Sequence, residues 1–288
     1  PFPTKPPAYD GQGLAVDDLI DFTPELRAAA TALVSKYRLG PMFTPPSVSR
    51  AEGPIATLTM GAQAAASNWP GGSYDPETHT VFVASQTSIA TLGLMPPPPG
   101  RSDMAYFQGT VLSGARTTGG SGASAGGAAP RAANAPAVEA SGSATLSVQG
   151  LPIVKPPYSR ITAIDLDKGE IKWRAPFGAT PDAIKNHPAL KGLNLPPLGR
   201  PGNNGGTLVT KTLVVAGESN FGPTPNGQRG AMLRAFDKGT GAEVGALYMP
   251  APQSGSPMTY MLNGTQYLVV AIGGAGHPGE LLVFKAGT

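Results

Sequence analysis

The chain carries few side chains of the kinds that perform acid–base or metal chemistry. Its three histidines, His79, His187 and His277, lie far apart and lack the spacing of metal ligands, so we expect each of them in a turn or at the surface. The chain has no cysteine, which excludes a disulfide, a thiolate metal site and a cysteine nucleophile within it. No nucleophile elbow is indicated, because the G-x-S-x-G match at 122–126 lies in a Gly-, Ala- and Ser-rich stretch without a strand pattern before it or a helix pattern after it, and no Walker loop occurs. The sequence therefore predicts no catalytic residue and no metal ligand in this chain.

Three carboxylates follow strand-like segments. Asp165 and Asp237 each precede a turn that contains glycine, so they are better explained as turn residues than as catalytic acids. Glu218 follows an apolar run and could face a substrate cavity. The role of each carboxylate depends on the strand that positions it.

The composition of the 288 residues indicates an all-β protein. Hydrophobic residues make up 40% of the chain, enough for a substantial core, and 39 Gly and 32 Pro supply the turns that many short strands require. The net charge is only +3 and Lys and Arg form no run, so there is no sign of nucleic-acid binding. The chain opens at Pro1 without a methionine, from which we expect a fragment or a processed product.

Short strand patterns dominate the chain after one helical segment. Thr23 is a good N-cap and Pro24 suits the first helical position, so an inserted helix is expected near residues 24–38. The Gly-, Ala- and Ser-rich stretch 113–147 has too few large apolar residues to offset its ordering entropy and is expected to be a flexible insertion loop. We predict one domain over 1–288, with antiparallel strands at 55–60, 81–85, 160–166, 170–175, 207–209, 212–216, 232–236, 244–249, 257–262, 267–272 and 281–285.

A repeat of the form A-x-D-x-x-x-G-x-x-x-W is the most informative pattern in the chain. It is complete from Ala163 to Trp173. A second copy, from Ala235 to Gly245, keeps the first three positions and replaces the Trp by Gly, and a third copy keeps only Asp75 and its turn. The alternative is a chance match between ordinary Asp–Gly hairpins. Three copies flanked by strands favour a true repeat.

Each position of the repeat has a physical role. The small residue lets neighbouring strands approach closely, and the Asp can accept hydrogen bonds from backbone N–H groups of the turn that follows. The Gly can adopt a positive φ where the hairpin reverses. The Trp offers a large flat surface for packing on an adjacent unit. The repeat therefore predicts similar structural units that pack against one another.

The spacing resembles the tryptophan-docking motif of the dehydrogenases that depend on pyrroloquinoline quinone (PQQ). Residues 67–78 resemble the N-W-x-x-x-x-x-D-P-x-T segment of this family, and residues 204–217 and 250–274 resemble its later segments in the same order. The resemblance implies a β-propeller with four-stranded antiparallel blades, of which this chain would form roughly the last half of eight. Because Gly245 replaces the Trp, one junction between blades is expected to be held differently.

The resemblance also implies a function for the whole protein. A dehydrogenase of this family oxidises an alcohol or sugar hydroxyl with PQQ and Ca²⁺ and passes the electrons to a quinone or a cytochrome. In the family the catalytic base and the calcium ligands lie in earlier blades. We therefore expect this chain to need the N-terminal blades of the same protein and to be inactive alone. A location in the periplasm, or on the outer face of the inner membrane, is implied in the same way.

Five residues become candidates for the PQQ pocket through this resemblance. Asn68 would hydrogen-bond a polar edge of PQQ, and Trp69 would form a wall of the same pocket. The alternatives are that Asn68 caps a turn and that Trp69 is a core aromatic. Asn204, Gly205 and Gly206 could place backbone N–H groups near the anionic cofactor, although Gly-rich turns are usually only turns.

Two other classes of protein fit the same strand pattern. A non-catalytic propeller that keeps the repeat and has lost the cofactor would act as a scaffold for protein contacts. The Asn68–Trp69 pair and the long loops favour the dehydrogenase over the scaffold. A glycan-binding β protein ranks last, because two tryptophans in the whole chain provide few surfaces for stacking on sugars. The sequence specifies neither the substrate nor the electron acceptor nor the oligomeric state.

Overall fold

The computed structural model describes residues 4–61, 66–97, 99–100, 102–112, 114–115, 146–203, 205–225 and 227–286. Most of the predicted insertion loop, 113–147, and the candidate residue Asn204 lie outside these ranges. The chain divides into two compact units. The first unit consists of Pro1–Gly11, Ala65–Ser88 and Val154–Thr288, and the second unit of Gln12–Ala64 and Ile89–Ile153.

Strands form most of the regular structure in both units. The two α-helices are α1 (Pro24–Val34) and α2 (Asp182–Lys185), and short 3₁₀ helices lie at Val16–Asp18 and Pro188–Leu190. In chain order the strands are β1 (Ser47–Val48), β2 (Thr57–Met60), β3 (Gly72–Asp75), β4 (Thr80–Gln86), β5 (Ile89–Met95), β6 (Phe107–Thr110), β7 (Gly114–Ala115), β8 (Ser147–Val148), β9 (Leu151–Pro152), β10 (Ser159–Asp165), β11 (Glu170–Pro176), β12 (Thr207–Val209), β13 (Leu213–Gly217), β14 (Gly222–Pro223), β15 (Arg229–Asp237), β16 (Glu243–Met249), β17 (Met258–Leu262), β18 (Thr265–Gly274) and β19 (His277–Lys285).

Three antiparallel sheets make up the first unit. Sheet 1 has the order β11-β10-β4-β3, and sheet 3 has the order β17-β18-β19. Sheet 2 has the order β12-β13-β15-β16, and the short strand β14 also pairs with the start of β15. The prediction of an all-β fold with four-stranded antiparallel blades is therefore confirmed.

Two apolar clusters hold the sheets of the first unit together. Phe82 of sheet 1 and Phe236 of sheet 2 belong to one cluster and are at most 1% exposed. Met249 of sheet 2 and Val270 of sheet 3 belong to the other and are fully buried. Because side chains alternate along a strand, each sheet can present one apolar face to each neighbour. Sheet 2 therefore has apolar packing on both of its faces.

The two best copies of the repeat form matching hairpins. In the β10–β11 hairpin Ala163 lies opposite Trp173, and in the β15–β16 hairpin Ala235 lies opposite Gly245. Each hairpin has a register shift directly after its alanine. A shared irregularity at the same position is not expected of two unrelated hairpins, so the repeat is structural.

An aspartate closes the turn in every copy of the repeat. Asp165 Oδ1 accepts hydrogen bonds from the N–H groups two and three residues later, at 3.1 and 3.0 Å. Asp237 Oδ1 does the same at 3.1 and 2.8 Å, and Asp75 Oδ1 accepts one such bond at 3.2 Å. Gly169 and Gly241 have φ values of +64° and +76°, as the turn requires. The predicted roles of Asp and Gly are confirmed.

Trp173 packs on the turn of the next copy, as the repeat predicts. Its Nε1 donates a hydrogen bond to Lys238 O at 3.1 Å, and a Cβ on Gly241 would lie 2.6 Å from Trp173 Cε3. The indole also lies 5.6 Å from the ring of Phe82. In the second copy, a Cβ on Gly245 would have no atom within 4 Å among the described residues. The junction that follows sheet 2 therefore lacks this contact.

In the second unit, helix α1 begins where it was predicted and ends earlier. Thr23 Oγ1 accepts a hydrogen bond from Leu26 N–H at 3.2 Å, which is the expected N-cap. The helix ends at Val34 rather than at Arg38. Arg38 N–H instead donates to Ala56 O at 2.9 Å, and this bond replaces the one that a longer helix would form.

The main sheet of the second unit contains strand β5, which sequence patterns did not predict. Its order is β1-β5-β6-β7, and β2 also pairs with β5. Strands β8 and β9 form a separate hairpin. Gly93 interrupts the apolar pattern of β5 because a Cβ there would lie 2.5 Å from Gly109 O of the neighbouring strand. Because the two backbones approach so closely, position 93 has no side chain, and the apolar pattern that would have predicted a strand is interrupted there.

Candidate functional site

Gly205 and Gly206 lead into β12 and are buried. A Cβ on Gly205 would lie 2.9 Å from Gly217 O, and a Cβ on Gly206 would lie 2.9 Å from Pro70 Cβ and 3.0 Å from Pro70 O. Such distances are shorter than ordinary contacts of a Cβ atom. The absence of side chains at both positions therefore lets three segments of the first unit meet.

Asn68 and Trp69 lie in an exposed turn of the first unit. Asn68 O accepts a hydrogen bond from Gly71 N–H at 2.9 Å, and Asn68 Oδ1 accepts one from Trp69 N–H at 2.9 Å. Asn68 therefore shapes the turn, which was the alternative to cofactor contact. Trp69 is 96% exposed, so the alternative that it is a core aromatic is wrong. Its indole is free to cover a ligand.

The Asn68–Trp69 turn lies next to the two glycines, although the sequence separates them widely. Ser256 Oγ donates a hydrogen bond to Pro70 O at 2.9 Å, and Ser73 Oγ lies 2.8 Å from Thr207 Oγ1. Four of the five predicted site residues are thus in one region, and Asn204 lies outside the described residues. We call this region the rim and define it as residues 68–71, 203, 205–206, 217, 219 and 253–256.

Gln253 is a buried residue of the rim that the sequence patterns did not identify. Its side chain is 6% exposed and accepts a hydrogen bond from Gly217 N–H at 2.6 Å. Its Nε2 donates to Gly206 O at 2.8 Å and to Gly255 O at 2.9 Å. One amide therefore connects three segments of the rim.

Two buried polar atoms of the rim have no hydrogen-bond partner among the described residues. They are Asn203 Nδ2 and Ser219 Oγ. Asn203 is fully buried, and its Oδ1 accepts a hydrogen bond from Ser219 N–H at 3.1 Å. Buried polar atoms usually have a partner, and ordered water commonly supplies one where the protein does not.

Glu218 lies behind the rim and does not face a cavity. The residue is fully buried. Its Oε2 accepts hydrogen bonds from Arg200 Nη1 at 2.9 Å and from Met232 N–H at 3.2 Å. Its Oε1 accepts from Arg234 Nε at 3.0 Å and from Arg234 Nη2 at 2.9 Å. Arg234 Nη1 also donates to Glu243 at 2.6 Å. The expectation that Glu218 could face a substrate cavity is wrong, because two arginines enclose its carboxylate.

Of the three histidines, which were expected in turns or at the surface, His79 lies in an exposed turn, His187 precedes a short 3₁₀ helix and His277 begins a strand. His79 Nδ1 lies 2.9 Å from Asp167 Oδ1 on an exposed turn, and this hydrogen bond raises the pKa of His79. His187 accepts a hydrogen bond from Ala189 N–H at 3.2 Å, and His277 lies at the start of β19. Within the described ranges, no three His, Asp or Glu side chains form a group that could hold a metal ion.

Sequence reasoning missed Gln253, Asn203 and Ser219 for a common reason. Gln253 and Asn203 form hydrogen bonds to segments that are distant in sequence. Asn203 Nδ2 and Ser219 Oγ are buried by such segments and have no partner among the described residues. No spacing or periodicity marks such residues, and polar residues beside Gly and Pro are otherwise typical of loops. The nearest signal was that residues 250–274 resemble a segment of the suspected family.

None of the described helices is both long and apolar enough to cross a bilayer.

Comparison with known proteins gives relatives that are all named as dehydrogenases. The chain is 30% identical over 233 residues to a probable quinate dehydrogenase (quinone) of Xanthomonas campestris pv. juglandis, covering 78% of this chain and 26% of that protein. It is 28% identical over 238 residues to quinoprotein glucose dehydrogenase A of Acinetobacter calcoaceticus, covering 82% of this chain and 25% of that protein. This chain therefore spans about a quarter of the length of these relatives.

Solved structures of two enzymes also resemble the chain. They are the quinohemoprotein alcohol dehydrogenases of Comamonas testosteroni (TM-score 0.41, 19% identity, 76% of this chain and 26% of that chain) and of Pseudomonas putida HK5 (TM-score 0.40, 16% identity, 75% and 23%). Residues 1–268 match the family model PQQ, described as the β-propeller domain of glucose/ethanol/alcohol dehydrogenases. The tryptophan-docked four-stranded sheets and this match lead to one conclusion: the chain belongs to the PQQ family of dehydrogenase β-propeller domains.

Proposed function

We propose that the protein containing this chain is a PQQ-dependent dehydrogenase that oxidises an alcohol or sugar hydroxyl, and that this chain contributes the rim to the PQQ pocket. The family match and the names of the relatives support the reaction class. The observation that carries the proposal is the assembly of the rim. Two glycines, an exposed indole and two buried polar atoms that have no partner among the described residues come together there from segments far apart in sequence.

The residues of the rim suit three tasks in holding PQQ. Asn203 is buried and supports the rim from below, since its Oδ1 accepts a hydrogen bond from Ser219 N–H at 3.1 Å. The missing side chains of Gly205 and Gly206 let Gly217 and Pro70 pack against this segment, which gives the rim its shape. Trp69, which is exposed, can cover an aromatic face and exclude water from it. PQQ, once bound, supplies the two-electron acceptor for the substrate.

Other parts of the reaction belong to the rest of the protein in this proposal. The catalytic base and the ligands of a Ca²⁺ ion would come from N-terminal blades, because no residue of this chain matches their family motifs. The electrons would pass to a quinone or a cytochrome. The protein would work in the periplasm or on the outer face of the inner membrane. This chain would then bind and orient PQQ without carrying out proton transfer.

A first experiment tests the reaction. The protein that contains this chain is expressed, supplied with PQQ and Ca²⁺, and assayed for dye reduction with a panel of alcohols, sugars and cyclic polyols. We expect reduction with at least one donor, dependent on added PQQ. If no donor supports reduction and no PQQ is retained after gel filtration, the proposal is wrong and the scaffold alternative replaces it.

A second experiment tests the contribution of the rim. Gly206→Ala would place a methyl group about 3 Å from Pro70, closer than an ordinary contact, and should raise the Kd for PQQ about tenfold or more. Gly279→Ala is the matched control, because a Cβ there has no atom within 4 Å among the described residues. Equal affinity of the two variants for PQQ, measured by fluorescence titration, would remove the rim from the pocket.

A further inference from the structure

The side chain of Gln253 satisfies every hydrogen-bonding group that it has. A glutamine amide offers two N–H donors and one carbonyl acceptor. The two donors bind Gly206 O at 2.8 Å and Gly255 O at 2.9 Å, and the acceptor binds Gly217 N–H at 2.6 Å. A buried amide with complete pairing is held in one orientation, since any rotation would leave a buried group without a partner. Gln253 is therefore a rigid connection.

The backbone of Gln253 extends the same connection. Its N–H donates to Glu218 O at 2.9 Å, and the residue also forms a β-bridge with Ile272 of sheet 3. The carboxylate of Glu218 is held in turn by Arg200 and Arg234. The backbone of Gln253 is thus bonded to the residue that follows β13 of sheet 2 and to β18 of sheet 3.

The loops that Gln253 joins include the candidate contacts to PQQ. Gly206 O is bonded to it directly. Gly255 precedes Ser256, whose Oγ donates to Pro70 O at 2.9 Å in the Asn68–Trp69 turn. The side chain of Gln253 is therefore bonded directly to the Gly205–Gly206 segment and is connected to the Asn68–Trp69 turn through Gly255 and Ser256. Gln253 itself directs no free polar atom outwards, so it does not serve as a ligand.

We propose that Gln253 is a positioning residue that holds the Gly205–Gly206 segment and the Asn68–Trp69 turn in the arrangement that binds PQQ, an inference that rests on the proposed function. Its role requires two donors and one acceptor in fixed places. Glutamate has the same shape but offers only acceptors when ionised. A carboxylate oxygen would then lie where Nε2 is and would repel the carbonyl oxygens of Gly206 and Gly255. Protonation returns one of the two donors.

The test is a PQQ titration of the apoprotein by fluorescence quenching, with the protein that contains this chain. For Gln253→Glu we expect a Kd at pH 8 at least tenfold above that of the wild type, and a smaller ratio at pH 5, where the carboxyl group is protonated more often. Gln253→Leu should raise the Kd at both pH values with no such trend. A merely structural role would lower the melting temperature but would not produce the pH trend in affinity.

Gln266→Glu provides the matched control. Gln266 lies on an exposed part of β18 and donates to Thr259 Oγ1 at 3.0 Å, away from the rim. The Kd of the Gln266→Glu variant for PQQ should stay within twofold of the wild-type value at both pH values. A Gln253→Glu variant that folds and binds PQQ like the control would overturn the inference. A wild type that binds no PQQ would instead overturn the proposed function, so the two failures are distinguishable.

Hydrogen exchange on the wild type covers the case in which neither Gln253 variant folds. Gly217 N–H is bonded to Gln253 Oε1, so its exchange reports opening of this connection. Binding of PQQ should slow the exchange of Gly217 N–H severalfold more than that of Leu26 N–H in α1. Equal changes at both amides would contradict the proposed role of Gln253.

Discussion

Glu218, Arg200 and Arg234 place three charges in the interior behind the rim. Their side chains are 0%, 7% and 9% exposed. Removing a charge from water costs several kcal/mol, and only close opposite charges with good hydrogen bonds offset this cost. Glu218 meets both arginines and one backbone N–H within 3.2 Å. The group is therefore stable as a whole and intolerant of the loss of one member.

Replacement of Glu218 by Gln should destabilise the protein strongly. The substitution removes the negative charge that both Arg200 and Arg234 contact in the interior, whereas the pair of Arg234 with Glu243 remains. Breaking a buried pair in this way costs about 3–5 kcal/mol of unfolding free energy. Glu170→Gln is the control, because Glu170 and its partner Lys5 are both more than half exposed and such pairs contribute at most about 1 kcal/mol. Chemical denaturation measures both, and similar losses would refute the argument.

At the level of elements, the β15–β16 hairpin contains two glycines, Gly241 and Gly245, whose surroundings differ. Gly241 needs its positive φ and also lies against Trp173, so it has no room for a side chain. Gly245, four residues later, has open space and no positive φ. The two glycines share a hairpin, but the backbone and packing require glycine only at position 241. Turn geometry fixes the first, whereas the second marks the position of a lost docking tryptophan.

Alanine substitutions separate these two glycines. Gly241→Ala should destabilise the protein by about 1–3 kcal/mol, because of the strained φ of +76° and the contact with Trp173. Gly245→Ala should leave stability unchanged or raise it by up to about 1 kcal/mol, because it lowers the entropy of the unfolded chain. Unfolding midpoints of the two variants provide the measurement. Equal destabilisation by both would contradict the packing described for Trp173.

An ion pair between sheets 1 and 2 accompanies the docked tryptophan. Lys238 Nζ lies 2.8 Å from Asp75 Oδ2, and Thr78 Oγ1 donates to the same oxygen at 2.6 Å. Burial of Asp75 raises the pKa of its carboxyl group, but hydrogen bonds from Lys238, Thr78 and the N–H of Glu77 outweigh burial, so the pKa is lowered. The hydrogen bond with Asp75 raises the pKa of Lys238. The charged pair is thus favoured in the folded state.

Stability should depend on the charge of Asp75. Since its pKa is lower in the folded than in the unfolded chain, the stabilisation is fully present above about pH 4, the ordinary pKa of Asp, and is lost as the pH falls through the folded value. Asp75→Asn should therefore lower the melting temperature at pH 7, and the difference from the wild type should shrink below pH 4. The exposed Asp182 provides the control Asp182→Asn. A difference that grows with acidification would reverse the assignment.

On the scale of the whole molecule, the first unit is assembled from three separate stretches of chain. Strand β4 pairs with β10 along its full length, from Gln86 opposite Ser159 to Thr80 opposite Asp165. Residues 89–153 of the second unit lie between these strands in the sequence. The N-terminal stretch also joins sheet 1, because Asp10 forms an ion pair with Arg160. Pairing across such distances has no local signature, so only short strands at about the right places could be predicted.

The sequence by itself determined the local chemistry of this protein. The turns at Asp165 and Asp237, the N-cap at Thr23 and the docking of Trp173 were predictable because each depends on residue types a few positions apart or on a repeated pattern. These features were also sufficient to indicate the family and the four-stranded sheets.

Only the tertiary structure decided how the rim is assembled. It placed Pro70 against Gly206, enclosed Glu218 between two arginines and paired all three groups of the Gln253 amide. It also exposed Trp69, for which the sequence allowed a core position. The physical reason is that long-range hydrogen bonds and burial depend on which segments become neighbours. Residue spacing along the chain carries no information about those neighbours unless a repeat supplies it.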